Sequence, residues 1–303
     1  MKSKIIYNPL VSVIIPTFNR NISLCNTLSC LFKQLYKNYE IIIVDQSDKE
    51  FKEKDLFLIK NKNKFKYLAT KIPNAARARN IGILEARGTI LLFLDDDVIF
   101  DKDLIKNHVS NYTDKKIGAV AGRVTSNEGK NKELKSLKVG RISWFGKFTD
   151  GFSSMIRQEV DTVIACNASW KKTCLDRVGL FDEKFTGPIR EDSDLSLRTK
   201  MQGYKIVFDP ASVVIHVRDQ TGGFRKTEGK INWYIGLFKS ETYFFVKHYP
   251  KILLPFILLT RSRWAIYSML NAIRYRNTLY LEAPFLGIYR GLKDYTEQHE
   301  HWS

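Results

Sequence analysis

Residues 94–98 read LDDDV, three adjacent carboxylates closing the apolar run ILLFL. Like charges side by side raise one another's pKa, so a cluster of this kind calls for a cation. Mg2+ and Mn2+ take hard oxygen ligands, commonly one or two carboxylates together with phosphate oxygens and water. In an extended segment residues i and i+2 point the same way, so Asp95 and Asp97 can serve one site while Asp96 faces elsewhere. The plain alternative is a polar strand end with an Asx turn. A second cluster, IREDSDLSLR (189–198), puts Glu191, Asp192 and Asp194 at a helix start. Asp is a favoured cap there, and a carboxylate so placed is also the group needed to deprotonate an acceptor hydroxyl. The third feature is His216 in the apolar VVIHV, a core histidine or an imidazole ligand compatible with Mn2+.

These residues need a frame. VSVIIP (11–16), YEIIIVD (39–45) and TILLFLD (89–95) have the continuous apolar character of parallel strands buried on both faces. Between them lie two helical patterns. ISLCNTLSCLFKQL (22–35) is apolar at helical spacing, and NAARARNIGILEARG (74–88) has Gly88 as a stop. Strand, helix, strand, helix, strand gives right-handed parallel crossovers. The polar groups cluster just past the strand ends: Thr17, Asn19 and Arg20, then Asp45 and Asp48, then Asp95 to Asp97. That is where open α/β sheets place their ligand crevice. Further strands are predicted at 117–124, 160–166, 204–209 and 213–217, a helix at 191–203 ending at Gly203, and a mobile Lys- and Gly-rich loop at 125–150.

The chain has 303 residues and a formal net charge of +17, with 44% hydrophobic residues. That is a globular balance with an anionic partner in prospect, although KEFKEKDLFLIKNKNKFK (49–66) reads as a solvated lysine face. The four cysteines, Cys25, Cys30, Cys166 and Cys174, lack CxxC spacing and read as reduced core thiols of a cytosolic protein. The N-terminal apolar run reads as a strand, without a signal-peptide cleavage site. ILLPFILL (252–259) is far short of the ~20 residues that span a bilayer. After about residue 220 aromatic and basic residues dominate, with helical patterns at 233–249 and 263–275. The division is therefore 1–220 and 221–303, and the basic-aromatic surface of the second part suits an anionic membrane interface.

Taken in order, VSVIIPTFNR, VDQSD, ARARNIGILEARGTILLFLDDDV, ACNASWKKTCLDRVGLFDEKF, EDSDLSLR and VVIHV resemble the family-2 glycosyltransferases of GT-A fold, over about residues 9–220. The resemblance implies a mixed, mainly parallel α/β sheet flanked by helices. It also implies Mn2+ or Mg2+, a nucleotide-diphosphate sugar, for which a UDP-sugar is expected, and inversion at the anomeric carbon. Pro16, Thr17, Asn19 and Arg20 match the first nucleotide loop. Asp45 matches the acid that reads the base or ribose, and Arg79 and Asn80 the basic patch beside the nucleotide. Asp95 and Asp97 match the DXD motif, with Asp96 directed toward ribose, and His216 resembles a third metal ligand. Asp192 matches the catalytic base. Asn167, Trp170, Arg190 and Glu191 are the expected acceptor contacts.

Three departures stand out. Gln46 replaces a second acid after Asp45, and Arg190 replaces a Gly before the Glu-Asp pair, where it reaches an anionic acceptor or solvent. TRSRW (260–264) lacks the first Gln of the QxxRW motif of processive members, which favours single additions. The expected acceptor is a glycan or a lipid-diphosphate-linked glycan of bacterial envelope polysaccharide synthesis, handled in the cytoplasm or at the inner face of the membrane. One rival is a metal-dependent nucleotidyltransferase, which would release pyrophosphate in place of a nucleoside diphosphate. A basic nucleic-acid-binding protein is the other. It leaves the carboxylate clusters without a purpose, because they repel a phosphate backbone; no nucleic acid is expected as a partner. The sequence carries no signal for an oligomeric state.

Overall fold

The computed structural model describes residues 8–47, 56–126, 138–218, 229–259 and 261–300. A nine-stranded sheet runs in the order β3-β2-β1-β4-β8-β6-β9-β5, with β7 (Gln158–Glu159) beside β9. Strands β1 (Val11–Thr17), β2 (Tyr39–Asp45), β3 (Lys66–Ala69) and β4 (Ile90–Leu94) pair in parallel. Strand β8 (Asn167–Lys171) runs against both β4 and β6 (Ile117–Ser126), and β9 (Lys205–His216) returns parallel to β6. The short β5 (Val98–Ile99) pairs antiparallel with the end of β9. The sheet is mixed and mainly parallel, as the sequence predicts.

Both faces of the central strands are covered, so these strands carry no polar alternation. Ile14 belongs to one apolar cluster while its neighbours Val13 and Ile15 belong to the other. Helix α1 (Asn21–Phe32) buries Leu24, Leu28 and Leu31 on the second face. Helix α3 (Ala75–Glu85) lies on the first, capped by Asn74, whose side chain accepts from Arg77 N. At Gly82 a Cβ would sit 2.4 Å from Ile14 Cγ2. Only a residue without a side chain lets α3 approach this closely, and that approach carries Arg79 to the sheet edge. The remaining helices of this part are α2 (Leu56–Asn61), α4 (Leu104–Ser110), α5 (Lys172–Val178) and α6 (Glu191–Met201).

Several expectations are corrected. Residues 160–166 form no strand; pairing begins at Asn167. The two predicted strands 204–209 and 213–217 are one strand, β9, with a register shift opposite Gly122 and Arg123. Helix α3 ends at Glu85, before Gly88. The lysine-rich 49–66 stretch contains α2 and leads directly into the edge strand β3, with Leu58 buried. Of the predicted mobile loop, β6 continues to Ser126, residues 127–137 lie outside the described residues, and 138–150 includes a bridge from Ile142 to Phe148. Asp48 also lies outside them. Cys166 and Cys174 are buried and Cys25 and Cys30 half-buried.

Among the described residues four C-terminal helices follow: α7 (Gly229–His248), α8 (Leu254–Leu259), α9 (Ser262–Tyr275) and α10 (Leu279–Glu300). They share a third apolar cluster with the first part, in which Phe185 meets Tyr243, Phe244, Phe245 and Ile257. Polar contacts reinforce it, with Tyr243 Oη donating to Asp182 at 2.7 Å and Lys247 pairing with Asp182 at 2.6 Å.

Candidate active site

The carboxyl ends of β1, β2 and β4 open on one edge, as the parallel registers Thr17↔Asp45 and Val11↔Ile90 require. Beyond β4 the chain turns through Asp95, Asp96 and Asp97. Buried Thr27 of α1 pins this turn by donating to Asp96 O at 2.8 Å or Val98 O at 2.9 Å. Strand β9 then sets His216 opposite Val98, and Val217 N donates to Asp97 O at 2.9 Å. Backbone pairing thus places the imidazole. One ligand atom each from Asp95, Asp97 and His216 lies within 4.8 Å of the others, and His216 Nε2 is 3.0 Å from Asp97 Oδ1. Burial pulls the His216 pKa down, but the hydrogen bond to Asp97 and the field of Asp95 outweigh it, and the pKa is raised overall.

The three carboxylates lie in a turn past the end of β4, not in an extended segment, and the middle one is directed to protein donors. Asp96 accepts from Thr17 Oγ1 at 2.7 Å and from Arg20 at 3.2 Å, so its oxygens are committed to protein donors where the sequence pointed to ribose. Burial raises its pKa to about 7, against the opposing pull of Arg20. Arg20 also bonds Asp97 Oδ2 at 3.1 Å.

Helix α6 supplies the second half of the site. Its Asp192 accepts from Ala165 N at 3.2 Å and Ser193 N at 2.7 Å. Glu191 accepts from Arg79 at 3.0 Å, and the same buried guanidinium lies 3.4 Å from Asp95 Oδ1. Arg79 therefore ties the DDD turn to the Glu-Asp pair, a bridge that single-sequence spacing gave no sign of. Burial raises Glu191 to about 7, with Asp192 pushing the same way, and burial also raises Asp192 against the pull of Arg79. Around Arg20 and Arg79 the carboxylates Asp95, Asp96, Asp97, Glu191 and Asp192 outnumber the guanidiniums. Two carboxylates and an imidazole in reach of one point, in a site with excess negative charge, fit Mn2+ or Mg2+.

Other expected residues fall at the rim or away from the site. Pro16 is buried in β1. Asn19 sits exposed in a left-handed turn (φ 55°), its N–H donating to Ser47 Oγ at 2.8 Å. Asp45 closes an Asx turn by accepting from Ser47 N at 2.9 Å, and it also accepts from Tyr67 Oη. Asn80 is spent on the 181–183 loop, donating to Phe181 O at 2.9 Å and Glu183 at 3.0 Å.

Two of the expected acceptor residues are corrected outright because neither reaches a surface. Asn167 is fully buried, donating to Ser212 O at 2.8 Å and facing His108 Nε2 at 2.9 Å. Trp170 is fully buried between Phe93 and Phe181, its indole donating to Thr199 Oγ1 at 3.1 Å. Arg190 is turned inward and mostly buried, where the sequence offered an anionic acceptor or solvent. Its guanidinium donates to buried Glu241 of α7 at 3.0 Å and stacks 3.5 Å from the Phe148 ring centre. Its backbone is left-handed (φ 84°), which explains the Gly that the family pattern places there.

The C-terminal hold on α6 also escaped the sequence. Buried Asp194 takes two bonds from Arg198, at 2.9 and 2.7 Å, and pairs with Lys247 at 2.8 Å and His248 at 2.7 Å. Glu241 likewise joins Arg190 to Arg261.

The sheet order and this edge site define the GT-A class of glycosyltransferase. The chain belongs to glycosyl transferase family 2, whose sequence profile matches residues 12–179. Over 106 residues it is 33% identical to an uncharacterized glycosyltransferase of Rickettsia felis, covering 35% of this chain and 18% of that protein. It is 25% identical over 228 residues to the poly-beta-1,6-N-acetyl-D-glucosamine synthase of Staphylococcus aureus, covering 74% of this chain and 53% of the relative. The chain thus spans about half or less of the length of these relatives. Among solved structures, the mannosyltransferase PcManGT of Pyrobaculum calidifontis, in complex with GDP-Man and Mn2+, superposes with a TM-score of 0.59 at 17% identity, covering 95% and 88% of the two chains. TarS of S. aureus superposes with a TM-score of 0.55 at 14% identity, covering 90% and 54%. These likenesses establish the fold, and the family establishes a glycosyltransferase.

Proposed function

We propose that this glycosyltransferase moves a sugar from a nucleotide-diphosphate donor, a UDP-sugar, to a hydroxyl of a glycan or lipid-diphosphate-linked acceptor, with inversion. The proposed setting is envelope polysaccharide synthesis at the cytoplasmic face of the membrane. Residues 1–220 form the catalytic part and 221–303 a helical region that braces it. The observation that carries the reading is Arg79, which holds the Asp95 end of the metal-competent cluster and Glu191, next to Asp192, in one hydrogen-bonded unit. The relation to the poly-beta-1,6-N-acetyl-D-glucosamine synthase supports the polysaccharide setting.

Asp95, Asp97 and His216 would hold Mn2+ or Mg2+, which when bound supplies charge stabilisation for the departing diphosphate. The chain does the rest. Asp192 takes the proton of the attacking hydroxyl as the new C–O bond forms. The sugar–phosphate C–O bond breaks, and its electron pair leaves with the diphosphate. An inverting single displacement needs one base, so one carboxylate suffices. The raised Asp192 pKa makes that carboxylate a stronger proton acceptor than an exposed Asp. Glu191 holds Arg79, and Arg20 holds Asp96 and Asp97, so the acidic turn keeps its shape while charge shifts.

Asp192→Asn should abolish transfer while leaving donor binding intact, and turnover near the wild-type rate would remove Asp192 from the base role. Asp97→Ala should abolish Mn2+-dependent donor binding; an unchanged calorimetric affinity would sink the metal assignment. The product decides against nucleotidyl transfer if it is a nucleoside diphosphate in place of pyrophosphate.

A further inference from the structure

Among the described residues, 13 of the 25 large hydrophobic side chains left exposed, tyrosines included, lie on α8, α9 and α10. On α9 they are Ile266, Met269, Leu270 and Ile273, exposed by 55, 55, 54 and 76%. The spacing i, i+3, i+4, i+7 puts them on one stripe. On α10 the stripe is Leu281, Phe285, Tyr289 and Leu292, with Phe285 77% exposed. The opposite side of α10 is packed: a Cβ on Gly287 or Gly291 would lie 2.6 Å from Ile235 O or Lys239 O of α7. The outward stripe is therefore the face left over once α10 has met its neighbour. Phe256 and Leu259 of α8 are exposed by 64 and 69%.

Isolated exposed apolar residues need no explanation, but aligned stripes on successive helices do. The charges beside them are mostly basic: Arg274, Arg276, Arg290 and Lys293 are exposed, against Glu282 within the α10 stripe and Glu297, which pairs with Lys293. Tyr267, Tyr275 and Tyr289 add rings with a polar tip, which favour the lipid–water boundary. No helix among the described residues is long and apolar enough to cross a membrane. A second copy of the chain is a poor occupant, since each copy brings a formal net charge of +17 and like charges would meet at the rim.

We propose that the outward stripes of α9 and α10 dock on an anionic lipid bilayer and lie in its interface, with Ile273 and Phe285 as the deepest side chains. This deepens the peripheral-membrane part of the function proposed above and does not depend on the role of Asp192. Docking there would fix the catalytic part against the surface, because α7, which α10 packs on, also holds Asp194 and Arg190 at the start of α6.

The experiment is co-flotation of the full chain with vesicles of phosphatidylglycerol and phosphatidylethanolamine, or of phosphatidylcholine alone. Wild type should float with the anionic vesicles at low salt and lose most of that binding on phosphatidylcholine. Ile273→Glu/Phe285→Glu should lower the bound fraction at least tenfold. Leu84→Glu, at a 73% exposed position on α3, should float as wild type. Arg274→Ala/Arg276→Ala should weaken anionic binding and flatten its salt dependence. Phe285→Ser, a milder change, should show partial loss if the double variant melts early by circular dichroism. No flotation of wild type, or flotation untouched by these variants, overturns the proposal. So does sedimentation that shows a wild-type dimer dispersed by the double variant, which would make the face a self-interface. Hydrolysis of the nucleotide sugar without vesicles should be equal in wild type and variant. If Asp192→Asn retains transfer while flotation behaves as stated, the catalytic reading falls and the docking face stands.

Discussion

Asp194→Asn is the most informative single change for how the two parts cooperate. Its carboxylate is fully buried and pairs with two cations, Arg198 of α6 and Lys247 of α7, and with the imidazole of His248. Burial pushes its pKa up, but the hydrogen bond from His248 and the charges of Arg198 and Lys247 outweigh burial and hold it well below the usual carboxylate range. Removing one partner of a buried pair costs about 3–5 kcal/mol, because the other charges lose their compensation. A kcal/mol moves Tm by about 2–4 °C in domains of 150–250 residues, so Tm should fall by about 10 °C. The pH dependence has a definite sign. A depressed folded pKa contributes stability that is complete above the unfolded value of about 4 and is lost as pH falls. The gap between wild type and variant should therefore be full at pH 7 and narrow below about pH 4. Thermal melts of both proteins from pH 7 to pH 3 test this. A gap below about 1 kcal/mol at pH 7, or one unchanged at pH 3, would refute the view that Asp194 is an ionised hub.

Two further predictions concern the same helix. Glu191→Gln removes a like charge beside Asp192, so the acid limb of the pH–rate profile should move to lower pH; a limb that stays put or moves up removes the coupling. Arg190→Gly relieves a left-handed backbone but leaves Glu241 with Arg261 as its partner among these two arginines. The net effect should be a loss of about 1–3 kcal/mol by denaturant melt, with kcat lowered more than KM, since α6 and the base proposed on it lose a brace.

The central strands were legible because burial on both faces writes a continuous apolar run. Helix α3 was legible as a helical pattern between two apolar strands, with its stop set at Gly88 where it ends at Glu85. Strand β8 was misplaced because its sequence, NASWK, turns polar groups inward, where Asn167 meets His108 and Ser169 meets both His108 and Tyr112. Strand β3 hid in a lysine-rich stretch because an edge strand tolerates charge. At the site, Asp95, Asp97 and His216 were paired from chemistry and resemblance, and the sheet brings them together. Asn167 and Trp170 failed as acceptor contacts because a motif gives a position along the chain and no direction for the side chain. Arg79, Glu241 and Asp194 act across sequence separations too long for any local spacing to reveal.

The β5–β9 register has a kinetic consequence. Asp97 and His216 are more than a hundred residues apart in the chain, yet the pairing Val98↔His216 makes them neighbours. Closing so long a loop is an entropic cost met only when the intervening sheet has assembled. A one-residue slip of β9 would turn the imidazole to the opposite face. The proposed ion site is therefore a checkpoint on chain assembly: a folding intermediate that lacks the last strand would hold the acidic turn but not the imidazole. Metal capture during refolding should lag behind the gain of core secondary structure.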